Sequence, residues 1–74
     1  MTDKISDSAR EAVRLGFNPS GDPTVLALKT KAAELLTLYE DVMSRGHAGR
    51  EMAVAITHLQ TASMWAVSGA TKGM

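Results

Sequence analysis

Seventy-four residues without a cysteine allow one small domain held together by packing alone, with neither a disulfide framework nor a thiolate metal site to assist. Eight basic and eight acidic residues balance, which argues against a broad electrostatic attraction to DNA or to an anionic membrane. No signal-peptide run opens the chain and no stretch approaches the roughly 20 apolar residues of a membrane span, so a cytosolic protein is expected.

Ser6, Asp7 and Ser8 offer caps for a short helix over about 6–15, which carries Ala9, Ala12, Val13 and Leu15 and stops at Gly16. It is too short to stand alone. After the loop-like FNPSGD, Asp22 followed by Pro23 is a strong helix start: an Asx cap, then a proline where its missing N–H costs nothing. The helix predicted over about 23–44 places Val25, Leu28, Ala32, Leu35, Tyr39 and Val42 on one stripe, widened by Leu26, Ala33, Leu36 and Met43.

Gly46 and Gly49 bracket a break, and SRGHAG has the length that joins antiparallel helices. A third helix over about 50–68 carries Met52, Ile56, Leu59, Ala62, Ser63 and Ala66 on one side, and residues 69–74 read as a flexible tail. The fold class is therefore all-α: a short N-terminal helix followed by a long antiparallel helical hairpin, one domain over 1–74. Helices of about 20 residues, each near 30 Å long, have wider apolar bands than one neighbour covers, so a homo-oligomer is expected.

An enzyme reading finds little support. His47 and His58 have no acidic or cysteine partners at metal-ligand spacing, and there is no Walker loop, GxGxxG turn or nucleophile elbow. No catalytic residue, metal or cofactor is expected, and recognition without turnover is the better class. The candidate ligand group surrounds the first loop: Phe17, Asn18, Ser20, Gly21, the helix start at Pro23 and Thr24, and Lys29. Amides of a helix N-terminus favour phosphate, an aromatic ring stacks on a base, and a lysine along the helix neutralises the anion. The plainer alternatives are a Phe17 that anchors the loop and a Lys29 that is a solvated surface residue. Trp65, beside Met64, reads first as a filler of a helix seam. Arg50 sits where it can pair with Glu51 or another carboxylate, or meet an anion at a subunit junction.

The third helix, in its order Arg50-Glu51, then Ala55, Thr57, Leu59, Ala62 and finally Met64-Trp65-Ala66, resembles the helical-hairpin domain of bacteriophage sponge proteins that counter the cyclic-oligonucleotide (CBASS) and Thoeris anti-phage systems. Gly16-Phe17 and KTKAAELLTL, from Lys29 to Leu38, look like the loop and second helix of the anti-CBASS members. The resemblance covers nearly the whole chain. Thoeris-type members usually carry an extra N-terminal β-rich domain, for which this sequence has no room, so the resemblance points to the short anti-CBASS branch.

What it implies is a homohexamer of hairpins that binds cyclic dinucleotides without cleaving them, in the cytoplasm of the infected bacterial host. An aromatic residue of the first loop would stack on a base and a lysine of the second helix would contact phosphate; by position these are Phe17 and Lys29. The family aromatic is often tyrosine, so phenylalanine keeps the π-face and loses a hydroxyl contact. Some members also hold cyclic trinucleotides near threefold junctions, using basic and hydroxyl residues of the third helix. Here Ile56 stands where the arginine is expected, which leaves Arg50 and Thr57 as candidates. The competing readings are a sponge for the cyclic ADP-ribose signals of Thoeris, and a helical adaptor that binds a partner helix and no small ligand.

Overall fold

The computed structural model describes residues 5–19, 21–46 and 48–72, which form three helices: α1 (Asp7–Ala12), α2 (Pro23–Ser44) and α3 (Gly49–Thr71). α2 and α3 make the long hairpin and α1 lies against α2, in a molecule of 42 × 23 × 15 Å. Of the expected positions, Ser20, His47 and the last two residues of the tail lie outside the described residues. Among the described residues, no helix is long and apolar enough to cross a membrane.

Six residues are too few for a helix that supports itself in water, so tertiary contacts must hold α1. They are specific. Ser6 caps the helix by accepting from the Ala9 N–H at 3.1 Å, and its backbone N–H donates to Thr37 Oγ1 at 3.1 Å. The Glu40 carboxylate reaches back from α2 and accepts from Ser6 Oγ at 2.6 Å and from Ser8 Oγ at 2.7 Å. Between these polar ties, Ala9 and Val13 of the first segment cluster with Ala33 and Leu36 of α2, and the small alanines let the two helices approach closely.

The first helix ends sooner than its apolar pattern suggests, and the residue that ends it is not Gly16. Arg14 takes the left-handed conformation (φ 54°), with the Leu15 N–H bonded to Arg10 O at 2.9 Å and the Arg14 N–H to Glu11 O at 3.1 Å. This is the paired closure normally built around a glycine. An arginine in that conformation carries a steric cost that glycine escapes.

Asp22 caps α2, its Oδ1 accepting from the Thr24 N–H at 2.8 Å, and proline opens the first turn. The buried line of α2 is Val25, Lys29, Ala33 and Leu36. It runs one position round from the spine of the expected stripe: Leu35 is exposed, and Leu28, Ala32, Tyr39 and Val42 are half-buried. A stripe drawn through hydrophobic residues passes over Lys29, yet α1 and the first loop fold over the lysine's own side of the helix.

Gly46 (φ 82°) supplies the left-handed residue that closes α2, its N–H reaching Met43 O at 3.0 Å. The chain then enters α3 through Ala48, also left-handed (φ 45°), with no side-chain cap on the new helix. Ala48→Gly is expected to stabilise the fold by about 1 kcal/mol, because alanine meets a steric penalty in that conformation that glycine does not. A rise of several degrees in Tm by circular dichroism checks it.

On α3 the inward side is Met52, Ile56, Leu59, Ser63 and Val67; Ala62 and Ala66 are exposed. The helix continues through Gly69 to Thr71, so residues 69–71 are helical and not part of a flexible tail. Thr71 Oγ1 bonds back to Val67 O at 2.9 Å. Outward, Trp65 is 72% exposed and Met64 68%, joined by Leu26, Leu38 and Val54. The accessible surface of the chain is 5178 Å2, against about 4,400 Å2 for a compact monomer of this mass. Trp65 therefore fills no seam within one chain.

Candidate functional site

Lys29 is the least expected side chain in the structure. Only 6% exposed, its ammonium donates to Arg14 O at 3.0 Å and also to Phe17 O. Two carbonyls of one loop thus converge on one cation from α2. The arrangement explains how the left-handed Arg14 persists: its carbonyl also accepts from the Phe17 N–H at 2.9 Å, so the turn is tied from both sides. Two of the three ammonium donors are engaged by these carbonyls. Burial, and secondly the Arg14 guanidinium, hold the Lys29 pKa below its ordinary 10.5.

Phe17 stands next to this clamp and is 53% exposed. The Arg14 guanidinium carbon lies 4.5 Å from the ring centroid and Lys29 Nζ lies 5.6 Å from it, both within cation–π range. A large apolar ring that faces solvent while two cations flank it is shaped for stacking. Phe17, Asn18, Pro19, Val25 and Lys29 line one side of a cleft of 430 Å3, and Val67 and Thr71 from the last turns of α3 line the other. That volume falls within the range of small-molecule sites, and none of the described residues lining the cleft carries a carboxylate. Asn18 is oriented by its Nδ2 donating to Asp22 O at 3.0 Å.

The expected site residues divide into two groups. Phe17, Asn18 and Lys29 come together at the cleft. Pro23 and Thr24 are close in sequence but exposed, and the start of α2 is not the open anion cradle that its sequence suggests. Proline has no N–H, the Thr24 N–H is taken by Asp22, and that carboxylate already occupies the positive end of the helix. Arg50 and Thr57 lie apart from the cleft on α3, lining a shallow groove of 300 Å3 with Ala53, Val54 and His58. There the Thr57 hydroxyl donates to Ala53 O at 3.1 Å, within its own helix.

A model of the Acb2/Tad1 hairpin domain matches residues 7–71. The chain belongs to the Acb2/Tad1 hairpin family. The match takes in α1, the first loop, α2, the turn and α3, so the cleft consists wholly of family hairpin residues. Comparison with curated proteins and with solved structures gives no match.

Three residues of the cleft region escape sequence reasoning. Val67 lies inside the expected third helix but off its named apolar side, and Thr71 lies beyond Gly69, which gives a reason to end the helix before it. Arg14 is hidden because a glycine two residues later is the obvious helix stop. The only local hint is its spacing, three residues ahead of an aromatic.

Proposed function

We propose that this member of the Acb2/Tad1 hairpin family is a bacteriophage anti-defence protein that captures cyclic oligonucleotide second messengers in the host cytoplasm. Cyclic dinucleotides are the favoured guests. Retained and not cleaved, they are kept from the effector of a CBASS system. The supporting observation is the Phe17 cleft: an exposed ring flanked by two cations, on a loop held by a buried lysine. A base is a flat π-surface and takes the ring, while the linking phosphate is an anion and takes the cations.

Capture in this reading occurs between copies of the chain in a homohexamer. The apolar residues on the outer faces, Met64 and Trp65 foremost, are the surface that assembly would cover. Arg50 and Thr57, remote from the cleft, are assigned to a second site for cyclic trinucleotides.

Thermal melting with a ligand panel tests the proposal. Cyclic di-AMP, cyclic di-GMP, a cyclic trinucleotide and cyclic ADP-ribose are each compared with a linear nucleotide. A guest at a hundredfold excess over Kd stabilises the native state by about 2.7 kcal/mol, which raises Tm by roughly 10 °C or more in a chain of this size. The expected result is such a rise with cyclic dinucleotides, with the same ligand recovered intact after denaturation. A response to cyclic ADP-ribose alone would move the protein to the Thoeris branch, and no response to any cyclic compound would leave the adaptor reading.

A further inference from the structure

We propose that Arg14 is a positioning residue of the Phe17 cleft: held in a left-handed backbone conformation, it lays its guanidinium on the ring and sets that ring as a fixed wall for a guest base. The inference rests on the reading of the cleft as a cyclic nucleotide site. The observations that carry it are separate from that reading and lie in the first loop and the Lys29 clamp that holds it.

Three observations converge on Arg14. The first is its backbone: a left-handed closure is the place for glycine, and a long charged residue there bears a steric cost that the fold does not require. The second is its side chain, whose guanidinium carbon lies 4.5 Å from the Phe17 centroid, nearer than the Lys29 ammonium at 5.6 Å. The third is the carbonyl of the same residue, which takes one arm of the Lys29 clamp. Backbone and side chain together fix the loop and the ring it carries.

Phe17 also lines a second groove, shared with Asp7, Arg10, Glu11 and Arg14. Phe17 therefore borders both grooves, with Arg14 lining one and Lys29 the other. Guanidinium stacking keeps the ring from turning away before the guest arrives. Ordering done in advance is ordering that capture need not supply.

The discriminating variant is Arg14→Gly, with Arg14→Lys as its conservative companion. Glycine relieves the backbone and removes the guanidinium, so Tm should rise while affinity for cyclic di-AMP or cyclic di-GMP, whichever the wild type binds, falls about three- to tenfold, as expected for an exposed cation–π contact and a freed ring. Lysine keeps a cation and should restore part of the affinity with no gain in Tm. A merely structural role would move both quantities in the same direction. In the free protein, the Arg14 side-chain protons should show an upfield ring-current shift in NMR that Phe17→Ala abolishes.

An Arg14→Gly protein that binds as tightly as wild type, or melts lower, overturns the inference while leaving the cyclic nucleotide reading in place. Failure of the wild-type protein to bind any cyclic dinucleotide overturns that reading and the inference with it.

Discussion

Phe17→Ala is expected to lower cyclic dinucleotide affinity by roughly ten- to a hundredfold, because stacking of one base on an aromatic side chain contributes about 1–3 kcal/mol. The fold should survive the change. Phe17 is more than half exposed, and the Phe17 groups that the structure uses elsewhere are its backbone N–H and carbonyl, which alanine retains. Titration calorimetry beside a thermal melt separates the two effects. Affinity within about twofold of wild type, a difference under about 0.5 kcal/mol, would remove Phe17 from the site. Tyrosine at the same position preserves the π-face and adds a hydroxyl, so Phe17→Tyr should bind at least as well.

Lys29→Met is expected to weaken both the loop and the site. Replacing a buried charge by an apolar isostere is sometimes neutral, since the desolvation of the charge disappears with it. Here the acceptors remain. The Phe17 carbonyl loses the Lys29 donor and the Arg14 carbonyl keeps only the Phe17 N–H, so a loss of about 1–3 kcal/mol in unfolding free energy is expected for removing a charged hydrogen-bond donor. Binding should fall further than in Phe17→Ala, because the change frees the loop and removes a cation together.

The pH dependence of stability gives an independent check on Lys29. Its folded pKa lies below the ordinary 10.5, so between those two values the unfolded chain binds more protons than the folded one. Unfolding free energy therefore gains a positive contribution as pH rises through that window, and the contribution is level below it. Neutral amine still carries two N–H groups, enough for both carbonyls. Compared with Lys29→Met in parallel denaturant titrations, wild type should gain relative stability toward pH 10.5. A wild type that instead loses ground would show that the folded protein favours the ammonium.

Much of the scaffold is legible in the residues themselves. Asp22-Pro23 marks the start of α2, and the Gly46–Gly49 interval marks the hairpin turn, because caps and breakers act through local backbone chemistry. Burial is harder to read. Lys29 lies on the innermost line of α2, where a hydrophobicity pattern expects no charge, since the partners that make its burial tolerable are carbonyl groups of a loop and have no side-chain signature. Arg14 is hidden for a related reason: left-handed closure belongs to glycine by default, and Gly16 stands close enough to take the role on paper. That Phe17, Asn18 and Lys29 are near one another is legible from the loop and the helix start that follow one another in the chain, and the structure brings all three to one cleft. The far wall of their cleft is completed by Thr71, in the three residues by which α3 runs past the expected end at about residue 68.

That far wall has a practical consequence. The end of α3 borders the cleft, and Lys72, exposed, is the next residue after the lining Thr71. A chain free of thiols can receive a single engineered one there and carry one dye at a defined spot. Labelled in this way, the protein is expected to report occupancy of the proposed site as a change in emission.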